Sequence, residues 1–244
     1  MNASRLRIAM GILLIAGLLV SCDEPRAVQT ESRTVASEGA KTAEVELRMG
    51  AGELRLSGEK QSALLEAAFR YNRPSLKPEI DYRVSGTLGI LTIGRRRHTT
   101  GFSFGNTRNE WDLRLSRDIP LALKVNLGAG ESSLDLGSLD ISSLDVDMGV
   151  GQMKLDLRGP HARSFSVRID GGVGSASLYL PADVGVSVKV DGGLGSVNAH
   201  GLAKDHHTYT NDAYGKSGVN IDIEIDAGIG SVDLRVEPRE RVKL

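Results

Sequence analysis

The sequence has few of the residues that most often mark a specialised class of protein. It contains one cysteine and 4 % aromatic residues, and its 30 basic residues nearly balance 31 acidic ones. A single cysteine excludes an internal disulfide framework and a cysteine-based zinc site. The near-neutral balance also argues against nucleic acid as a partner, since domains that bind it are usually markedly basic. Apolar residues at 40 % still suffice for a folded core.

Proline is unremarkable, with 7 residues, whereas glycine is abundant, with 29 of 244. That glycine share is about 12 %, against roughly 7 % in average chains. An excess of glycine without an excess of proline indicates many tight corners within otherwise regular structure.

The beginning of the chain has the pattern of a bacterial lipoprotein signal. Arg5 and Arg7 precede an apolar run over residues 8–20, which is too short to span a bilayer but fits the apolar core of a signal peptide. The motif Leu19-Val20-Ser21-Cys22 follows. We therefore expect cleavage after residue 21 and lipidation of Cys22.

This signal predicts an extracytoplasmic protein held to a membrane by its lipid. Asp23 resembles the signal that keeps lipoproteins in the inner membrane of enteric bacteria, and weakly favours that membrane. Residues 22–41 are polar and aperiodic, which predicts a flexible tether. We expect one domain over residues 42–238 and a C-terminal tail over residues 239–244.

A glycine-centred repeat organises the predicted domain. Gly-x-Gly segments begin at 128, 149, 172 and 193, with spacings of 21, 23 and 21 residues, and two further copies lie at 50 and 228. A fixed period of this length is typical of repeat architectures. The glycines that we expect at structural corners are Gly50, Gly52, Gly128, Gly130, Gly149, Gly151, Gly172, Gly174, Gly193, Gly195, Gly228 and Gly230.

Apolar residues alternate with polar ones on both sides of each corner. Phe165, Val167 and Ile169 precede one corner, and Ala176 and Leu178 follow it. Strict alternation predicts strands with one buried face. Because the parity changes across the corner, the Gly-x-Gly segment must shift the phase by one residue, and glycine permits the positive φ that such a bend requires.

The repeat predicts an all-β fold, a β-solenoid of stacked two-strand coils with Gly-x-Gly corners. An antiparallel β-sandwich, in which the corners close hairpins, is the alternative. No segment has convincing helical periodicity, and residues 63–69 fit a strand that leads into a loop. Residues 43–115 are less regular and would form the opening coils, with a longer excursion near residues 95–110.

Several motifs in sequence order resemble the toast-rack domain of bacterial envelope proteins. They include Asn109-Glu110-Trp111-Asp112-Leu113, the stretch 126–131 and the stretch 171–175, and the likeness covers roughly residues 43–237. The resemblance implies an all-β fold similar to the C-terminal part of LiaF-type proteins, which regulate envelope-stress signalling. It implies no catalytic residues.

An acidic or amide side chain stands two residues before five of the corners, and in stacked coils these side chains would form a column. Carboxylates in a row suit calcium. The favoured interpretation is that each side chain accepts hydrogen bonds from the amides of its own turn. The five residues are Asn126, Asp147, Asp170, Asp191 and Asp226.

Other candidate sites are weaker. The histidines are His98, His161, His200, His206 and His207, and the last three lie close enough in sequence for a transition-metal site. Solvated loop histidines are the favoured interpretation, so we expect no metal and no cofactor. Ser132-Ser133 and Ser142-Ser143 have no nucleophile elbow and no nearby histidine. We therefore expect no enzymatic activity.

Few aromatic or basic clusters stand out. Residues 95–98, Arg-Arg-Arg-His, lie just before Phe102 and Phe104 and could contact anionic groups, although a solvated hairpin tip is the favoured interpretation. Trp111 shares its parity with Leu113 and Leu115, which predicts a core position. Tyr179 is the clearest outward-facing aromatic residue.

Together these features predict a membrane-anchored, non-catalytic interaction or scaffold module of the cell envelope, linked to envelope-stress sensing. Its partner would be an envelope protein or glycan. The alternative is a polysaccharide-binding or polysaccharide-active β-solenoid, which a groove lined with stacked aromatic residues would favour.

Overall fold

The computed structural model describes residues 27–94 and 107–238, which contain thirteen strands and one short 3-10 helix, Pro74–Leu76. No α-helix is present in these two ranges, and residues 63–69 belong to a strand. The strands are β1 Gln29–Ala36, β2 Thr42–Glu59, β3 Ala63–Tyr71, β4 Glu79–Ser85, β5 Leu88–Gly94, β6 Asn109–Ser116, β7 Leu121–Asp135, β8 Ile141–Asp156, β9 Phe165–Leu180, β10 Gly185–His200, β11 Ala203–Asp205, β12 Thr208–Thr210 and β13 Asn220–Val236.

Six long strands form a stack of parallel coils. The strands β2, β7, β8, β9, β13 and β10 lie next to one another in that order, paired in parallel and in register. Each bends at its Gly-x-Gly segment, so we call the part before the segment its first leg and the part after it its second leg. The parallel pairing confirms the predicted β-solenoid and shows that the antiparallel sandwich is wrong.

The corner changes which residues face the interior. On β7 the buried residues are Leu121, Leu123, Val125 and Leu127 before the corner and Ser132 and Leu134 after it. Gly130, the second glycine of that corner, has a φ of +130°, a conformation that L side chains rarely adopt. At several first glycines a close approach excludes a side chain instead; a Cβ on Gly172, for example, would collide with the carbonyl oxygen of Gly149.

Stacked apolar ladders fill the space between the two sets of legs. Each ladder takes one residue from every coil, and the coils carry matching residues because they repeat the same alternation. Burying one such side chain contributes about 1.5–3 kcal/mol. One first-leg ladder consists of Val45, Leu123, Leu144, Val167, Ile223 and Val188, and one second-leg ladder of Leu56, Leu134, Leu155, Leu178, Leu234 and Ala199.

The order of the coils in space differs from their order in the chain. The strand β13 lies between β9 and β10, so the final segment of the chain returns into the stack. Gly172 consequently has corners on both sides, those of Gly149 and Gly228. The apolar alternation on both sides of Gly193 predicts a corner inside the stack as well, and that prediction is wrong, because β10 is the last of the described long coils.

The two ends of the stack are finished by different elements. Beyond β2, the second legs continue into β6, β3 and β1, where Trp111 packs edge-on against Phe69 with ring centroids 5.6 Å apart. Beyond β10, only the first leg continues, into the antiparallel hairpin of β12 and β11. Trp111 is 3 % exposed, as its alternation with Leu113 and Leu115 predicts.

Candidate functional site

The column of acidic and amide side chains predicted before the corners is present in the sheet. Register pairs Asn126 with Asp147, Asp147 with Asp170, Asp170 with Asp226, and Asp226 with Asp191. All five side chains are half-buried or exposed on the outer surface.

Two of these carboxylates bind a basic residue of their own strand. Asp170 accepts a hydrogen bond from Arg168 at 3.0 Å, and Lys189 lies 2.6 Å from Asp191. The Lys189 ammonium lowers the pKa of Asp191. Asp170 and Asp191 are therefore each paired with a basic side chain two residues earlier in the strand. This differs from the prediction, in which their partners were the amides of the turn.

The described histidines are spread over three parts of the molecule. His200 ends β10, whereas His206 and His207 form the turn between β11 and β12. Nδ1 of His206 lies 2.7 Å from Oδ1 of Asp205, and both side chains are exposed. Across residues 27–94 and 107–238, no three His, Cys, Asp or Glu side chains are grouped so that they could hold a metal ion. His98 lies outside those residues.

His161 lies apart from the other histidines, in the connection between β8 and β9. Its ring is half-buried, with Nε2 2.6 Å from the carbonyl oxygen of Leu157 and the centroid 5.1 Å from that of Phe165. Burial lowers the pKa of His161, because desolvation disfavours the charged ring. These contacts give it a structural role in the return from one coil to the next.

The two serine pairs lie on neighbouring strands, β7 and β8. Ser132 is 6 % exposed and occupies a core position, and its hydroxyl has no hydrogen-bond partner. Its register neighbours are Leu54 and Met153, so the adjacent coils place no general base beside it. Ser142 and Ser143 lie at the start of β8, with Ser142 exposed.

Tyr179 packs against two basic side chains of the neighbouring coil. Lys154 Nζ lies 5.0 Å from its ring centroid, and the Arg158 guanidinium carbon lies 4.9 Å from it. Arg158 is in turn fixed by Asp156 at 2.7 Å. Both contacts are cation–π interactions that link β9 to β8 and the residues just after it. The basic cluster at residues 95–98, with Phe102 and Phe104, lies outside the described residues.

An apolar ridge, which we define as the central residues of four neighbouring Gly-x-Gly corners, runs along the outside of the stack. Val150 is 55 % exposed and Val173 is 48 % exposed. Register aligns the four positions in one row. Sequence analysis treated these residues only as spacers between glycines. The row consists of Ala51, Ala129, Val150 and Val173.

A groove of about 290 Å³ opens at the last coil, where the hairpin of β12 and β11 meets the corner of β10. Asp191, Lys204, His207 and Tyr209 line it together with Val197 of the second leg. Only tertiary structure brings these residues together. The groove joins residues of the first leg, the hairpin and the second leg at one edge of the stack.

Comparisons with known proteins agree with this architecture. The family described as the N-terminal domain of toast_rack, DUF2154, matches residues 24–179. A crystal structure from Clostridium sporogenes ATCC 15579, of a protein named for a proposed role in cell adhesion, is 37 % identical, with a TM-score of 0.83 over 86 % of this chain and 100 % of that chain. A search of curated proteins returns no match.

Two further solved structures are much less similar. One is a proposed adhesin from Bacteroides fragilis NCTC 9343, 11 % identical with a TM-score of 0.26 over 85 % of this chain and 97 % of that chain. The other is a proposed lipid-binding protein from Parabacteroides distasonis ATCC 8503, 9 % identical with a TM-score of 0.27 over 85 % and 97 %. TM-scores this low support no argument about this chain.

The described residues contain no helix long and apolar enough to cross a membrane. The parallel coils, the glycine corners and the family match over residues 24–179 lead to one assignment. The chain belongs to the toast_rack N-terminal domain family.

Proposed function

We propose that this chain is an extracytoplasmic lipoprotein that acts as a non-catalytic interaction module of the bacterial cell envelope. The anchoring part of the proposal rests on Arg5, Arg7, the apolar run over residues 8–20 and the motif that ends in Cys22. Cys22 lies outside the described residues. Residues 29–36 of the predicted tether form β1, so a shorter segment after Cys22 would connect the lipid to the domain.

The observation that carries the interaction role is the apolar ridge. Exposed apolar side chains that line up on a soluble domain often mark contact sites. Val150 and Val173 are among the few large apolar side chains exposed in the described ranges. The ridge borders the acidic column, in which Asp147 and Asp226 form no ion pair within the described residues. This combination favours a protein partner with an apolar strip and basic neighbours.

Two further considerations support this choice over catalysis. Ser132 has apolar register neighbours, and the described histidines and carboxylates form no group suited to a metal ion. The 37 %-identical neighbour is named for a proposed role in cell adhesion. By the resemblance to LiaF-type proteins, we propose that the partner belongs to the envelope-stress pathway. Asp23 favours the inner membrane as the site of anchoring.

The anchoring is tested by fractionating cell envelopes. The parent chain should sediment with membranes, and Cys22→Ser should move to the soluble fraction. Asp23→Ser is the matched control, because it leaves the cysteine intact and should stay membrane-bound, with a shift to the outer membrane in a bacterium that has one. Membrane association of Cys22→Ser equal to that of the parent would contradict the proposal.

The interaction role is tested by photo-crosslinking in the native envelope. A photoreactive residue at position 150 should capture a defined envelope protein, whereas the same residue at position 142 of the same strand should not. Val150→Ser with Val173→Ser should abolish capture from a third ridge position, 129. Capture of glycan alone would favour the polysaccharide-binding alternative, and equal capture from positions 150 and 142 would remove the ridge as the contact surface.

A further inference from the structure

Among the described strands, the second leg of β10 has a neighbour on one side only. The pairing of β10 with β13 extends from Gly185 to His200. On the opposite side, β12 pairs with residues 187–189 only, and the last backbone contact with the hairpin is the 2.9 Å hydrogen bond from Val190 N to His207 O. Within the described residues, no strand pairs with the outer side of residues 195–200.

Backbone groups of this leg point toward the open side. On the first leg, the core-facing Val186 and Val190 direct their peptide groups to the hairpin, since Val186 accepts from Asn211 N and Val190 donates to His207. In a strand of L-residues, the chain direction and the side-chain direction together fix the side to which a residue directs its N–H and C=O groups. The core-packed Val197 and Ala199 therefore direct their N–H and C=O groups to the same side, where no strand lies.

Charge distinguishes this edge from the other outermost strands. The edge strand β1 carries Glu31 and Arg33, and β11 carries Lys204 and Asp205. Natural proteins protect exposed edges with such charges. Residues 195–199, Gly-Ser-Val-Asn-Ala, carry none. This edge has the composition of a strand that pairs with a partner.

The hairpin restricts what can bind there. It extends the first-leg sheet by two strands, or about 10 Å at the usual strand spacing. Asn211 holds it in place, with Nδ2 donating to Val184 O at 2.7 Å and Oδ1 accepting from Val186 N at 2.9 Å. A second copy of the chain could pair its own β10 second leg with this edge, with its core on the same side of the sheet. The first leg of that copy would then occupy the position of the hairpin. One extended segment fits beside the second leg without that collision.

We propose that the second leg of β10 is a docking edge for an extended segment of a partner polypeptide. This segment pairs through its backbone and adds to the sheet as the next strand. Its alternate side chains would continue the apolar row of Val197 and Ala199, and the side chain nearest the corner would enter the groove beside Tyr209 and His207. This inference rests on the proposed interaction role and names a second surface for it, separate from the apolar ridge.

A peptide of the chain's own residues 230–236, Gly-Ser-Val-Asp-Leu-Arg-Val, is a suitable probe, because that segment is the natural neighbour of the second leg of β10. Labelled with a fluorophore, it is titrated with the full-length chain in detergent and followed by fluorescence anisotropy. We expect saturable binding. Ala199→Pro should weaken it roughly tenfold, since proline removes one N–H donor at the open edge. Ala199→Val retains the donor and should bind like the parent.

The same experiment must also show that the substituted chain is still folded. Proline is tolerated on an edge strand where its nitrogen faces solvent, so Ala199→Pro should keep the circular dichroism spectrum of the parent. If that variant unfolds, N-methylated peptides with the parent chain replace it, because methylation blocks the peptide's own edge donors. Absence of saturable binding to the folded parent, or equal binding by the proline and valine variants, would overturn the proposal.

Two other occupants give distinct results. Concentration-dependent dimers that Ala199→Pro dissociates would assign the edge to a second copy and overturn the proposal. Peptide binding that requires deletion of residues 239–244 would assign the edge to the chain's own tail, with the same consequence. The peptide assay does not depend on lipidation or on the ridge, so its failure is distinguishable from failure of the proposed function.

Discussion

The outermost coils at the two ends of the stack are covered in different ways. A parallel coil buries its apolar face only against its neighbours, so the outermost coils need something beyond them. At the β2 end, the second leg gains three further strands, and Trp111 and Phe69 pack there. At the β10 end, the second leg ends the sheet with Val197 and Ala199 only partly buried. One end is closed by large side chains, whereas at the other end no described strand pairs with the outer side of the second leg.

The core side chains next to the corners become smaller from the β2 end of the stack to the β10 end. The residue before each corner is Met49, Leu127 or Met148 in the first three coils and Gly171, Ala227 or Gly192 in the last three. A small apolar pocket of about 30 Å³, partly open to solvent, lies at the corner where this change occurs. Cavities and short side chains reduce the packing energy of a core. We therefore expect the β10 end to unfold more readily than the β2 end.

The largest effect is expected from Trp111→Ala at the closed end. The indole is buried against Phe69 and donates to Asn109 Oδ1 at 3.0 Å, and Asn109 Nδ2 donates to Ala51 O at 2.6 Å. Truncation should lower the free energy of unfolding by about 3–5 kcal/mol. Urea denaturation measures this value. Trp111→Phe is the control and should lose clearly less, and equal losses for both variants would show that the ring contact contributes little.

A corner within the stack should give the next largest effect. Gly151 has a φ of +145°, and a Cβ there would collide with the carbonyl oxygen of Gly130. Gly151→Ala should cost about 2–3 kcal/mol, from backbone strain and displacement of the neighbouring coil. Ser175→Ala, just after the corner of the next coil, should stay within about 0.5 kcal/mol of the parent. Similar denaturation midpoints for the two variants would mean that the corner behaves as an unconstrained loop.

A matched valine pair tests the difference between a coil inside the stack and the last coil. Val232 and Val197 are register partners, but Val232 is 4 % exposed whereas Val197 is only half-buried. Val232→Ala should cost about 2 kcal/mol, since two buried methyl groups are lost and a cavity remains. Val197→Ala should cost less than about 1 kcal/mol. If thermal melts place the two variants together, the second leg of β10 is covered in solution.

The smallest effect concerns pH and His161. Its folded pKa lies below the ordinary value of 6.5 because of burial, so the unfolded chain binds the proton more tightly. The stabilisation is complete above pH 6.5 and is lost as the pH falls from there through the folded pKa. The loss amounts to about 1.4 kcal/mol for each unit of pKa difference.

Urea titrations above and below pH 6.5 measure this loss. His161→Gln should reduce the slope of stability against pH, whereas the exposed His206→Gln should leave it unchanged. An unaltered slope in His161→Gln would assign the pH dependence to other groups.

The sequence by itself determined the coil. Alternation on either side of Gly-x-Gly predicted two legs with one shared interior, and the parity change between Ile169 and Ala176 predicted the bend, because both are local properties of strand geometry. Trp111 was placed in the core for the same reason. The motif at Cys22 is equally local, and its prediction of a lipid anchor awaits its experiment.

Tertiary structure alone decided the order of the coils and therefore the surfaces. The corners at Gly172 and Gly228 have nearly the same pattern, so either could pair with β10 as far as local sequence is concerned. The insertion of β13 depends on long-range backbone pairing. It moves Gly193 to the last coil, gathers Asp191 and Tyr209 around one groove, and leaves Val197 and Ala199 at an open edge. Parallel pairing between near-identical strands has no local signature, because the same alternation suits every neighbour.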